Sequence, residues 1–300
     1  MPTDPTPAPP ACAVAIGNFD GVHLGHLEVL ATLFALARRL GVLSCVYTFD
    51  PAPTAVVAPE RHQPRLQTLA NRVAALRAAG VDQVVVQPFT ADFAGWSAEQ
   101  FIETELLGRL GARGLVVGHD FRFGRMRAGD AASIRELAPG LEVVEVGAFR
   151  LHDEPVSSSR VRKYVQTGAV VHAAVLLGRP FTVSGPVVHG DARGRTLGFP
   201  TANIALEEEI RPSPGVYAVR ARLVDGRSVP GVANLGFRPT VAGSRYAVEA
   251  HLFDFAEDLY GQPIELALVA HLREERRFPS LETLVAQIRE DAAAARRVLA

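Results

Sequence analysis

The sequence predicts a two-domain chain, a doubly wound α/β sheet followed by an antiparallel β-barrel with a terminal helix. Three observations predict it. Residues 12–180 alternate strand-like and helix-like runs joined by short Gly or Pro turns, the pattern of a parallel sheet with right-handed crossovers. After Pro180 come short runs rich in Val, Ala, Leu and Tyr, separated by turns such as Asp225-Gly226 and Tyr260-Gly261. Three hundred residues also suggest two hydrophobic cores rather than one. The expected extents are a disordered Pro-rich tail over 1–11, a first domain over 12–180 and a second over 181–300.

The first strand is the apolar run Val14-Ala15-Ile16, which breaks at Gly17. A helix follows, with Leu27, Leu30, Leu33, Phe34 and Ala37 on one face at spacings of three and four. Further strands are expected over 42–49, 83–87, 114–118 and 142–146, and helices over 67–79, 98–107, 131–137, 158–166 and 170–177. In the second half, strands are expected over 181–188, 216–223, 229–235, 246–253 and 264–271. Ser280 then caps a final helix carrying Leu281, Leu284, Ile288 and Val298. Its charged positions Arg289, Glu290, Asp291, Arg296 and Arg297 are expected in solvent.

Composition narrows the class of function. Hydrophobic residues make up 48% of the chain and charged residues 21%, and the formal net charge is -1, so nucleic acid and anionic membrane are not expected partners. No apolar run approaches the roughly 18 residues of a spanning helix. The Pro-rich start lacks the basic and apolar regions of a signal peptide. Cys12 and Cys45 fall in core strands and read as free thiols, which with the rest suggests a cytoplasmic protein; whether it forms a homo-oligomer is left open. Lys163 is the one lysine among 31 basic residues. Phosphate binding must therefore use arginine, histidine, backbone N–H groups and metal.

Two stretches carry chemistry. Asn18 to His26 forms a strand-to-helix turn at the carboxyl edge of a parallel sheet, where ligands bind in open α/β folds. Gly21 and Gly25 allow close backbone approach, and His23 and His26 lie three apart at a positive helix end, an arrangement suited to clamping a phosphate. The competing reading is a capping His beside an exposed one. The second stretch, Gly190-Asp191-Ala192-Arg193-Gly194-Arg195-Thr196-Leu197-Gly198-Phe199-Pro200-Thr201-Ala202-Asn203, is not a Walker loop. Its glycines and arginines can still wrap phosphates. Thr201 and Asn203, hard oxygen donors two apart on an extended segment, suit Mg2+. The competing reading is a surface hairpin loop.

The first stretch resembles the HxGH signature of the nucleotidyltransferases. In its longer form, Gly-Asn-Phe-Asp-Gly-Val-His-Leu-Gly-His, it is similar to the adenylyltransferase module of bacterial bifunctional riboflavin kinase/FAD synthetases. Gly118-His119-Asp120 and Val156-Ser157-Ser158-Ser159-Arg160 resemble that family's second and third motifs. Gly198-Phe199-Pro200-Thr201-Ala202-Asn203 resembles the signature of its riboflavin kinase domain. Pro214-Gly215-Val216-Tyr217, the run from Gly231 to Thr240, Val248-Glu249-Ala250-His251 and the run from Leu272 to Phe278 follow in the family's order.

The resemblance implies a Rossmann-like first domain in which His23 and His26 stabilise an α-phosphate under attack and Arg160 assists the leaving pyrophosphate. It also implies nucleotide contacts at Gly17, Asn18, Phe19, Asp20, Gly21, Asp120, Ser157 and Ser158. In the barrel it implies that Glu249 is the base, that Thr201 and Asn203 hold Mg2+, that Gly190, Arg193, Gly194, Arg195 and Gly198 wrap phosphates, and that Arg273 and Phe278 lie against the flavin ring. ATP, riboflavin, FMN and FAD are the implied substrates and products. One departure leaves an alternative open: Asp50-Pro51-Ala52-Pro53 stands where relatives carry Pro-His-Pro, which allows a kinase whose first domain is weak or silent.

Overall fold

The computed structural model describes residues 11–190, 194, 198–207, 209–240 and 243–300. Strands β1 (Cys12–Ile16), β2 (Leu43–Asp50), β3 (Gln83–Pro88), β4 (Ala112–Gly118) and β5 (Glu142–Val146) form a parallel sheet in the order β3-β2-β1-β4-β5. Side chains alternate across a strand, so β1 serves both faces. Ala13 and Ala15 pack with Leu30, Leu33 and Leu36 of helix α1 (Leu24–Leu40), whereas Cys12, Val14 and Ile16 pack with Phe101, Ile102 and Leu106. A sheet covered on both sides needs apolar residues at every position, which explains why β1 reads as an unbroken apolar run. The chain leaves β1 for β2 on one side and reaches β4 on the other. The turn after β1 thus opens at the switch point of the sheet, where the crevice of a doubly wound fold lies.

The expected helices over 131–137, 158–166 and 170–177 are present as Ala131–Leu137, Ser158–Gln166 and Val170–Leu177. The one expected over 98–107 differs. Regular helix covers only Ala98–Phe101 and gives way to a π-helix over Ile102–Arg109. Within it Glu105 is buried, accepting a hydrogen bond from the Tyr47 hydroxyl at 2.8 Å and pairing with Arg109 at 3.0 Å. A buried carboxylate needs such partners. Apolar periodicity over so few residues does not distinguish the two helix types.

The texture of the sequence changes at 180, but compactness divides the chain earlier. One unit comprises residues up to Gln63 and Leu69–Val156, the other Pro64–Thr68 and Ser157–Ala300. Texture follows element type, whereas compactness follows packing, and the helix Val170–Leu177 packs on strands of the second unit. After a short hairpin of β6 (Arg150–Leu151) and β7 (Glu154–Pro155), that unit is a closed barrel. Its strands are β8 (Phe181–Val188), β9 (Ala202–Ile204), β10 (Gly215–Arg222), β11 (Ser228–Thr240), β12 (Gly243–Leu252) and β13 (Pro263–Arg273), ordered β10-β11-β12-β9-β8-β13. The expected strand 229–235 is the first part of the longer β11, and 246–253 covers the end of β12 and runs one residue past it. In the sequence β9 shows only as an extended part of a glycine loop, because three residues give periodicity too little length.

The terminal helix Leu281–Leu299 begins at a capping box between Ser280 and Thr283. Ala292, Ala295 and Leu299 pack against Val216, Val232 and Phe253. Asp291, expected in solvent, is only 6% exposed and pairs with Arg273. Helical spacing from Ile288 to Ala295 places position 291 on the inward stripe, and the ion pair is what lets a carboxylate occupy it.

At Gly185 on β8, a Cβ would overlap the backbone carbonyl of Ala205. We expect Gly185→Ala to lower stability by about 1–3 kcal/mol, read from denaturant unfolding of the full chain.

Candidate active sites

Residues Gly17 to His23 carry the chain from β1 into α1 through a strained turn. Phe19 and Val22 adopt φ of 48° and 41°, a region that costs a β-branched or aromatic residue energy and that clusters at functional sites. The turn is held from below by hydrogen bonds to the Asn18 carbonyl, from the Thr48 hydroxyl at 3.1 Å and from the buried Arg72 guanidinium at 2.9 Å. Arg72 also donates to the Phe49 carbonyl at 3.0 Å, tying the ends of β1 and β2 together.

His23 is the N-cap of α1, and its Nδ1 accepts from the His26 backbone N–H at 3.2 Å. With Nδ1 accepting, the ring proton sits on Nε2. The His26 ring stacks on it with centroids 3.7 Å apart and planes at 12°, and Phe19 lies 5.0 Å from His26. Burial, then the adjacent His23, pushes the His26 pKa well below 6.5, so that His26 is neutral at pH 7. The glycine between the two histidines is closely packed: a Cβ at Gly25 would lie 3.2 Å from the His23 ring and 3.3 Å from the Val156 carbonyl.

The other expected contacts of this site lie on separate elements. Gly17, Asn18, Asp20 and Gly21 belong to the turn, and Asp20 is buried. Asp120 is exposed just past the carboxyl end of β4, the neighbour of β1. Ser157 caps the helix Ser158–Gln166 by accepting from the Arg160 N–H at 3.4 Å, and the Arg160 guanidinium lies 5.9 Å from the centre of the Tyr164 ring. This helix groups with the second unit.

The barrel holds a cavity of about 350 Å³. Thr201, Asn203 and Glu249 all line it. The β9–β12–β11 register explains this, since Asn203 faces Glu249 and Glu249 faces Asn234 across adjacent strands. Two glycines hold their backbone against these side chains. A Cβ at Gly190 would overlap the Asn203 amide, and one at Gly194 would overlap the Phe199 carbonyl and come within 3.3 Å of Thr201 Oγ1. Gly198 has a φ of 83°, which favours glycine. Arg193 and Arg195 lie outside the described residues.

Arg273 and Phe278 also line the cavity. The Arg273 guanidinium binds Asp291 at 2.7 and 2.9 Å and stands 5.7 Å from the Phe278 ring, which Arg276 covers from 5.0 Å. Three further residues escaped the sequence reading. His251 has no partner by spacing, yet its Nδ1 donates to the Pro200 carbonyl at 2.8 Å and so fastens the signature loop to β12. Arg238 and Glu275 line the same cavity and contact each other at 2.9 Å. Their one sequence signal was membership of the runs 231–240 and 272–278.

The chain carries two candidate sites, a histidine-capped turn after a parallel strand and a barrel cavity edged by a glycine loop, the arrangement of a two-domain enzyme. The FAD synthetase family matches residues 6–160 and the riboflavin kinase family residues 177–299. The bifunctional riboflavin kinase/FMN adenylyltransferase of Escherichia coli K12 is 41% identical over 95% of this chain and 92% of its own length. That of Pseudomonas fluorescens is 43% identical, over 96% and 93%. A crystal structure described as a macrolide-efflux protein from Streptococcus pneumoniae superposes with a TM-score of 0.88 at 31% identity, covering 97% of this chain and 95% of that one. Among the described residues no helix is long and apolar enough to cross a membrane. The chain belongs to the bifunctional riboflavin kinase/FMN adenylyltransferase family.

His26 contributes stability with a definite pH signature. Its folded pKa is depressed, so the contribution is complete above the ordinary value of 6.5 and is lost as pH falls through the folded pKa. Thermal unfolding at pH 8 and pH 5 should show a smaller acid destabilisation in His26→Gln than in the parent protein.

Proposed function

We propose that the barrel transfers the γ-phosphoryl of ATP to the ribityl hydroxyl of riboflavin, and that the first unit couples the resulting FMN to the α-phosphate of a second ATP, releasing pyrophosphate. The observation that carries the reading is the cavity in which the Glu249 carboxylate stands across the strand register from Asn203 and beside Thr201. Phosphoryl transfer asks for little more than positioning, charge neutralisation and an acceptor for one proton. Glu249 is that acceptor. The oxygens of Thr201 and Asn203, cradled against Gly190 and Gly194, suit a hard cation, and Mg2+ held there would neutralise phosphate charge. Arg273 and Phe278 form the apolar and cationic wall for the flavin.

At the turn, the first residues of α1 offer N–H groups at the positive end of a helix, and the His23 Nε2–H adds a donor for the α-phosphate. His26, neutral and packed on it, fixes that ring and adds no charge of its own. Ser157, Ser158 and Arg160 serve the departing pyrophosphate, and Asp120 the flavin nucleotide. The proposed extents are 12–180 for adenylyl transfer and 181–300 for the kinase. The substrates are small molecules, and a reducing cytoplasm suits the two buried free cysteines. Ala52 supports a second reading, in which adenylylation is slow, but matching both families over the length of their curated relatives favours two working sites.

The test separates the sites. Glu249→Ala is expected to abolish FMN formation from riboflavin while FAD formation from supplied FMN continues. His23→Ala is expected to do the reverse, slowing adenylylation by about 100-fold or more. Unchanged kinase turnover in the first variant refutes the role of Glu249.

A further inference from the structure

The barrel cavity contains an ion-pair chain that the kinase chemistry described above does not use. Arg238 lies on β11, four residues beyond Asn234, and its guanidinium is divided between two carboxylates. Nη2 donates to Glu249 Oε2 at 3.3 Å and Nη1 to Glu275 Oε1 at 2.9 Å, with a weaker Nη1 contact to the Phe237 carbonyl at 3.5 Å. Glu275 is held a second time, by the Asn234 amide at 3.2 Å. The four groups form a sequence Asn234–Glu275–Arg238–Glu249 along one wall, each of its three charged members about one-third exposed.

Space for this chain is built into the backbone. Glu275 crosses directly over Gly236, where any Cβ would overlap its carboxylate. Gly236 has no positive φ, and a larger residue there would have to displace the Glu275 carboxylate.

The geometry bears on the base. A glutamate side chain has three rotatable bonds and sweeps a wide arc, whereas proton acceptance requires hydrogen-bond reach of one hydroxyl. Among the described residues the partner of the Glu249 carboxylate is Arg238. A guanidinium can do this because its planar fork addresses two acceptors at once and it keeps its charge. Glu275 fixes the other arm of the fork, and Asn234, which faces Glu249 in the strand register, fixes Glu275. Resting on the kinase reading, we propose that Arg238, anchored by Glu275 and Asn234, is a positioning residue that sets the Glu249 carboxylate for proton acceptance. Its two arms are occupied by carboxylates, so it acts through Glu249 rather than on the phosphates.

The experiment measures FMN formation by the full-length protein with Arg238→Gln, Arg238→Lys and Glu275→Gln. Misplacing a catalytic group costs rate rather than binding, so kcat should fall about 10-fold or more in Arg238→Gln, with KM for riboflavin and for ATP within about twofold. Arg238→Lys, a point charge without the fork, should recover part of that loss, and Glu275→Gln should fall in between. FAD formation from FMN and the thermal midpoint should match the parent. An unchanged kcat in Arg238→Gln overturns the inference. So does a raised KM at constant kcat, which would make Arg238 a substrate ligand, and so does a parallel loss of both activities, which would make it structural. A parent protein that forms no FMN overturns the kinase reading, and this inference with it.

Discussion

Absent Cβ atoms decide where the functional side chains of both units can stand. Gly25 makes room for the His23 ring, Gly190 and Gly194 for Asn203 and the loop around Thr201, and Gly236 for Glu275. At Gly194 a Cβ would meet the Phe199 backbone carbonyl, whereas at Gly25 and Gly236 a larger residue would require the facing group to shift. The proposed phosphate chemistry would account for the need, because backbone N–H groups and hard oxygens would have to converge on one anion without intervening side chains. A glycine costs conformational entropy on folding, and the surrounding sheet and barrel have to offset it. Both do so with dense apolar packing: β1 is buried along its whole length, and β10 is buried apart from its arginines.

The two sites solve the charge problem differently. In the turn, burial and the neighbouring His23 keep His26 neutral, and the proposed attraction for phosphate rests on helix N–H groups and the His23 ring N–H. In the barrel, charge is abundant and paired: Arg238 between Glu249 and Glu275, and Arg273 on Asp291. Arginine suits this work, as its fork satisfies two acceptors while remaining charged, and the chain has a single lysine. The terminal helix is part of the barrel site in this sense, for Asp291 on its inward stripe holds the arginine that closes the cavity wall.

Much of this was legible in the sequence, and the failures are instructive. Long apolar runs and helical stripes located the strands of the sheet and the helices over 131–137, 158–166 and 170–177, because burial imposes a period that survives in a single sequence. Glycine positions were legible as sites of close approach, though not what approached them. The extent of β9 and the π-helical turn over Ile102–Arg109 were hidden, being too short for any period to show. Asp291, His251, Arg238 and Glu275 were hidden for another reason. Their partners lie 11 to 51 residues away, and only barrel closure brings them together. A charged residue looks solvated until its counter-ion is placed.

The central claim is that one chain performs two consecutive reactions at two separate sites. A chromatographic time course of riboflavin, FMN and FAD, with purified protein, ATP and Mg2+, tests it most directly. The account predicts that FMN rises first and then gives way to FAD. FMN that accumulates without FAD, even when FMN is supplied directly, would contradict a working first site, and no conversion of riboflavin would contradict the barrel's role as a kinase.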